Sequence, residues 1–212
     1  MGLEPVILEG QYVRLVPLEL SHAEALFEAG ADPEVWRYSC LKIATLEQMR
    51  AYLAGALDEQ SRGVSLPFTT CDKSTGRPIG TTRYGSIAME HKRLEIGWTF
   101  IGPAWQRTPI NTEAKYLMFR HAFEVLGVNR VELKTNALNF RSRNAMLRVG
   151  AKEEGTLRSH MVNGDGTIRD TVYFSVISGE WPGVKAALEE KLARPWEKSA
   201  ARSRAADAES MT

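Results

Sequence analysis

The sequence contains only two cysteines, Cys40 and Cys71, which stand far apart and form no Cys-x-x-Cys pair. This spacing excludes a disulfide framework and a cysteine-based zinc site, and it fits a reducing compartment. The four histidines show no metal-ligand spacing, so no metal is expected. Charge of one sign is also missing. Against 27 Lys plus Arg stand 26 Asp plus Glu, a formal net charge of +1. The overall basic field that drives nonspecific nucleic-acid binding is therefore absent, as are the acidic clusters that would suit a polycationic acceptor. No apolar run approaches the roughly 20 residues of a membrane span. The first ten residues carry Glu4 and Glu9 and do not read as a signal peptide. A cytoplasmic protein with no nucleic-acid or membrane partner is expected. No internal repeat is visible.

What is present is a chain of 212 residues, 43% hydrophobic, enough for one substantial core. Residues 1–194 read as one domain. Residues 195–212 are rich in Ala, Ser, Arg and Glu without apolar periodicity and read as a disordered or loosely helical tail, dispensable for folding and for activity. Residues 12–16 alternate as a strand, and residues 21–29 and 45–57 place their apolar positions at helical spacing around an Asp32-Pro33 turn. Residues 66–71, 79–89 and 94–101 are apolar stretches divided by turn chemistry, the pattern of an antiparallel meander. A helix is expected over 112–126, stopped by Gly127. Then come a strand over 130–135, a helix over 140–149, two strands joined at an Asn163-Gly164 turn, and a last helix over 182–193. The order belongs to the α/β or α+β layer architectures.

The run Leu94-Glu95-Ile96-Gly97-Trp98-Thr99-Phe100-Ile101-Gly102-Pro103-Ala104-Trp105-Gln106, continuing into Asn111-Thr112-Glu113-Ala114, resembles the strand, phosphate loop and helix of the GCN5-related N-acetyltransferases (GNAT). It is similar in particular to the branch that modifies ribosomal-protein N-termini. Asp32 to Tyr38, Asn139-Phe140-Arg141-Ser142 and Arg148-Val149-Gly150-Ala151 support the likeness, as do Glu154 to Arg158 and Asp170 with Tyr173 and Trp181. It covers roughly residues 10–190; each motif is weak alone, and their shared order and spacing are specific. The resemblance implies a central mixed, mostly antiparallel sheet with helices on both faces. It also implies acetyl transfer from acetyl-CoA to a primary amine, foremost a protein N-terminal α-amine, and is compatible with a homodimer. A small-molecule amine acetyltransferase and a non-catalytic module of the same fold are the competing readings.

The family's cofactor loop has the form Gln/Arg-x-x-Gly-x-Gly/Ala, and the matching positions here read Gln106-Arg107-Thr108-Pro109-Ile110-Asn111. Gln106 agrees with it. Pro109 lacks an amide donor, and Asn111 brings a side chain where the family usually has none. A helix start is itself an anion site, so the resemblance still implies cofactor contacts from Phe100, Ile101, Gln106, Arg107, Thr108, Ile110, Asn111 and Thr112, with Arg107 as ionic partner. Pro109 and Asn111 read equally as a first-turn proline and a helix cap.

Acetyl transfer needs an acceptor for the amine proton, donors for the thioester oxygen and a proton for the departing sulfur. Period-2 alternation sends Glu95, Gly97, Thr99 and Ile101 to one face and Leu94, Ile96, Trp98 and Phe100 to the other. Glu95 matches the glutamate that acts as base in some family members; an ion pair with a cross-strand cation such as Arg83 explains it equally. Ser142 shares a helix face with Ala145, Met146 and Val149, so its hydroxyl should point inward. The resemblance implies that Ser142 protonates the thiolate and that Asn139 contacts the pantetheine arm. A helix cap at Asn139 explains the same Asn-x-x-Ser spacing. Tyr173 and His160, on the final strands, could reach the cleft as acid or base but read foremost as packed strand residues, and His121 reads as a half-buried structural residue. Trp36, Tyr38 and Tyr84 are candidates for the acceptor wall, although such aromatics more often belong to a core.

Overall fold

The computed structural model describes residues 3–196; most of the expected tail, residues 197–212, lies outside them. The strands are β1 (Leu8–Glu9), β2 (Val13–Pro17), β3 (Leu66–Asp72), β4 (Pro78–Ala88), β5 (Arg93–Ile101), β6 (Arg130–Asn136), β7 (Lys152–Val162) and β8 (Ile168–Ile177). They form one sheet in the order β1-β2-β3-β4-β5-β6-β8-β7. Every pair is antiparallel except β5 with β6, which run parallel. The helices are α1 (Ala23–Ala29), α2 (Leu46–Ser61), α3 (Pro109–Arg120), α4 (Phe140–Arg148) and α5 (Trp181–Ala193).

Two apolar clusters hold the layers together. Leu26, Met49, Leu53 and Ala56 of α1 and α2 pack with Trp36 and Phe100. A larger cluster joins Leu15, Phe68, Ile79, Ile96, Val131 and Phe174 of the sheet to Leu117, Met118 and Phe119 of α3 and Leu188 of α5. Local chemistry starts the helices where it should. Thr45 caps α2 in a reciprocal box with Gln48, and Asn139 caps α4 by accepting from the Ser142 amide at 3.0 Å.

Helix α3 corrects the expected boundary. It begins at Pro109, three residues before Thr112, because Thr108 takes the cap position and Pro109 the first helical one. Asn111 is therefore inside the first turn and does not cap. At the other end α3 widens into a π-helical turn, His121–Val125, beside which the Tyr84 hydroxyl donates to the Met118 carbonyl at 2.6 Å. Gly127, at φ 64°, ends it as expected.

Two strand details also differ from the simple pattern. Thr81 pairs with Phe100 and Arg83 with Gly97, so Trp98 and Thr99 together oppose Thr82. This is a β-bulge, with Trp98 at φ 49°. It breaks the period-2 alternation: Trp98 is 38% exposed while Phe100, expected on its face, is buried. A Cβ on Gly85 would lie 2.4 Å from the Trp98 ring, so glycine there gives the indole its bed. The β7–β8 connection is not a two-residue Asn-Gly turn either. It spans five residues closed by the Asn163 amide on the Thr167 carbonyl at 2.8 Å, and the left-handed residue is Gly166.

Candidate active site

Strands β5 and β6 pair over only three positions, Arg93 with Arg130, Leu94 with Val131 and Glu95 with Glu132. Beyond Glu95 their facing edges have no ladder partner in each other, and a cleft of about 960 Å³ opens between Gly97, Trp98, Thr99 and Phe100 on one side and Leu133, Lys134 and Thr135 on the other. Unpaired strand edges are rows of amide donors and carbonyl acceptors. An extended amide-bearing chain can lie between them as an added strand would.

One end of the cleft is built for anions. Gln106 braces the loop, donating to the Ile101 carbonyl at 2.8 Å and accepting from Arg141 at 2.9 Å. Arg107 follows in the left-handed region at φ 60°, exposed and lining the cleft. Of the donors left over at the start of α3, Pro109 has none and the Ile110 amide is taken by Thr108 Oγ1 at 3.3 Å. The Thr108 and Asn111 amides remain for a ligand, at the positive end of the helix dipole. The Ile110 side chain is turned into the core. The side chains of Thr108, Asn111 and Thr112 line the cleft. Arg148, Lys191 and Arg194 also line the cleft, Lys191 donating to the Arg148 carbonyl at 2.7 Å. Among the described residues Arg107, Arg141 and Arg148 have no carboxylate partner, so their charge is available to phosphate. Pro195 and Trp196, the start of the expected tail, also line this cleft.

Helix α4 forms the middle of the wall. Asn139 uses its carbonyl oxygen as the cap and has no protein partner for its NH₂ among the described residues. Ser142 is half-buried and its hydroxyl is unpaired among those residues. The expectation of a fully inward hydroxyl is thus corrected: α4 has no buried residue, because one face borders open cleft. The cap uses the Asn139 carbonyl oxygen and leaves its NH₂ free at the cleft wall.

Glu95 lies opposite, 3% exposed, just before the bulge. Its partner is not Arg83. It bonds to Lys134 Nζ at 2.9 Å and to Ser86 Oγ at 3.1 Å, while Arg83 pairs with Glu59 at 2.7 Å and sits 4.7 Å from the Trp98 ring centroid. Burial disfavours the Lys134 charge, but the Glu95 carboxylate more than offsets it and raises the pKa of that lysine. The pair fixes the Glu95 carboxylate in place at the cleft wall.

At the far end Tyr38, Ser39, Cys40 and Leu41 face Met161 and Arg169 of the β7–β8 hairpin. Trp36 borders this end but is 5% exposed, its ring 4.9 Å from Phe100 and its indole N–H on the Gly30 carbonyl at 2.8 Å. Tyr84 is fully buried and belongs to the core, not to the acceptor wall. His121 packs against it and is held below its usual pKa by burial. His160 and Tyr173 contact each other edge to face at 5.9 Å and do not line the cleft.

A sheet split between two parallel strands, a helix start and basic groups at one end of the split, and a carboxylate beside a bulge at its centre match one known arrangement. The family described as acetyltransferase (GNAT) domain matches residues 13–152. The chain belongs to the GNAT acetyltransferases. It is 30% identical over 81% of its length to a Bacillus subtilis protein described as the uncharacterized N-acetyltransferase YoaA, covering 96% of that protein. A crystal structure of a GCN5-related N-acetyltransferase from Brucella melitensis superposes with a TM-score of 0.85 at 34% identity, over 92% of this chain and 88% of that one. A further B. subtilis protein, provisionally named ribosomal N-acetyltransferase YdaF, is 35% identical over 52% of this chain and 59% of its own length. As a GNAT enzyme the chain takes acetyl-CoA as cosubstrate, and the donor set at the start of α3 fits a pyrophosphate.

Several cleft residues escaped the sequence reading. Lys115 of α3 is 7% exposed, donates to Thr99 Oγ1 at 2.9 Å and Thr82 Oγ1 at 3.3 Å, and is pushed down to about 7 by burial. Its signal was a charge at i+3 from Thr112 on an otherwise inward helix face. Lys134 and Arg169 carry no such signal, since each is one cation in an alternating strand.

Proposed function

We propose that this GNAT enzyme acetylates a primary amine, foremost the N-terminal α-amine of a peptide or protein, in the cytoplasm. The observation that carries the reading is the cleft between β5 and β6, which joins the anion-binding start of α3 to Glu95 on one wall and to Ser142 on the other. Acetyl-CoA lying along the unpaired strand edges, its phosphates at α3, brings its thioester between those two residues. As the amine nitrogen bonds to the acetyl carbon and the carbon–sulfur bond breaks, Glu95 takes the proton the amine loses, directly or through a water. Ser142 gives the departing sulfur its proton and regains one from Glu95 through water in the open cleft, so one proton passes in net from nitrogen to sulfur. Asn139 NH₂ donates to an amide carbonyl of the pantetheine arm. The name of the YdaF relative supports a protein N-terminus as acceptor.

The test is acetyl-CoA consumption, followed by the thiol released, with a panel of peptides, free lysine and polyamines, and mass spectrometry to locate the acetyl group. Acetylation confined to peptide α-amines is expected. Turnover only with small amines assigns the enzyme to the small-molecule class. Failure to bind acetyl-CoA at millimolar concentration in calorimetry reduces the chain to a non-catalytic module.

A further inference from the structure

Among the described residues two carboxylates line the cleft and both are occupied, Glu95 by Lys134 at 2.9 Å and Glu34 by Arg37 at 3.2 Å. Arg169 of β8 is different. It lines the cleft half-buried, and its guanidinium meets no carboxylate among the described residues. Its contacts are the Tyr38 carbonyl at 2.9 Å and the Met161 sulfur at 3.2 Å, and its Nε is buried without a hydrogen-bond partner. A guanidinium cannot shed its proton, so partial burial without a counter-charge is a standing cost. Lys134 adds a second positive charge near enough for Arg169 to disfavour its protonation. An anion entering here would offset both. The Tyr38 bond also fixes the guanidinium plane between the segment before α2 and the β7–β8 hairpin, leaving it preorganised to hold a planar oxyanion.

We infer that Arg169 recognises a carboxylate carried by the acceptor close to its reacting amine, so that the enzyme prefers acidic amines over neutral ones. This rests on the acetyltransferase reading above. The carboxylate has two sources: the α-carboxylate of a free amino acid, or the side chain of an N-terminal Asp or Glu in a peptide. A neutral acceptor would leave Arg169 without a counter-charge; an acidic one supplies it, accepting from the Nη N–H groups that Tyr38 and Met161 do not use. Lys134 remains with Glu95 and contributes only field.

The experiment measures kcat/KM with acetyl-CoA for matched acceptors: aspartate and glutamate against their α-amides, and C-terminally amidated tripeptides starting Asp or Glu against those starting Asn or Gln. Parent enzyme should favour the acid member of one set by about 10- to 100-fold, the range of hydrogen bonds to charged groups. The set showing the preference names the source. Arg169→Met should erase the preference while leaving the KM for acetyl-CoA and the rate on the neutral member within a few fold. Arg169→Lys should restore part of it. A merely structural Arg169, holding Tyr38, would lower both members alike. Equal rates for acids and amides in the parent, or an equal loss for both in Arg169→Met, overturns the inference while leaving acetyl transfer intact. If no acceptor is turned over, acid and amide members are titrated by calorimetry with CoA present. Acid-selective binding lost in Arg169→Met upholds the inference apart from the reaction, and its absence refutes it.

Discussion

At the scale of single residues, the most consequential side chains are charges placed where charge is costly. Among the described residues Lys115 hydrogen-bonds to two threonine hydroxyls and to no carboxylate. With a folded pKa near 7 against an ordinary value of 10.5, the unfolded chain binds a proton that the folded one has shed throughout the interval between them. Stability should therefore rise as pH increases from about 7 to 10, with the full penalty present below 7, on the order of 5 kcal/mol by the arithmetic of linked titration. Lys115→Met should be more stable than the parent at pH 7 and lose that rise, as chemical denaturation across pH will show. Glu113 is the opposite case, a buried carboxylate fully used: it accepts from the amides of Gln11, Tyr12 and Val13 at 2.7 to 2.8 Å. Gly10 leaves it room, since a Cβ there would lie 2.3 Å from the carboxylate carbon. Glu113→Ala should cost about 3 kcal/mol or more, read from the denaturation midpoint, with the cleft residues untouched. Ser142→Ala should lower kcat by about 10² to 10⁴-fold with little change in the KM for acetyl-CoA. Unchanged turnover would leave Ser142 a plain helix residue.

At the scale of elements, the loop leading into α3 shows how a helix start replaces glycines. Thr108 satisfies one amide, Pro109 removes another, and the Thr108 and Asn111 amides together with Arg107 carry what remains. Arg107→Ala should weaken acetyl-CoA binding and flatten its salt dependence, because the charge removed is exposed and screened. Asn111→Gly should be tolerated or tighten binding. Titration calorimetry of both variants at two salt concentrations checks this, and an Arg107→Ala protein with parental affinity would show that backbone donors suffice. The bulge in β5 is the other deciding element. By placing Trp98 and Thr99 against one residue of β4, it turns Trp98 outward beneath Arg83 and Lys134 and Thr99 toward Lys115. Strict alternation would have put these side chains elsewhere.

At the scale of the whole molecule, a near-neutral chain brings Arg107, Arg141, Arg148, Lys191 and Arg194 from three separate parts of the sequence to the wall of a single cleft. The C-terminal end of α5 brings Pro195 and Trp196 to the same wall. Truncation after Trp196 is expected to leave acetyl-CoA affinity and cooperative unfolding at parental values. Truncation after Arg194 should weaken the affinity severalfold by removing apolar wall. Equal affinity in both truncated proteins would return residues 195 and 196 to the tail.

Among the described residues, the sequence by itself determined the five helices, every strand but the two-residue β1, their order and the family. Hydrophobic period, turn residues, Gly127 and the capping residues act over a few neighbours, and the motif from Leu94 to Ala114 survives as a linear string even with its glycines replaced. It also placed Glu95, Asn139, Ser142 and the Gln106 loop, all of which face the one cleft, with only Ile110 turned away. Tertiary structure decided the rest. That Glu95 pairs with Lys134 and not Arg83 depends on a parallel neighbour 39 residues away and on a bulge whose extra residue leaves no mark in composition. The buried Lys115 and the unmatched Arg169 follow from which surfaces the sheet and the β7–β8 hairpin bring together. Local pattern encodes what a segment forms, because its forces act within a turn or a strand. What a charge faces is set by chain crossings over a hundred residues, as where Arg169 meets Tyr38.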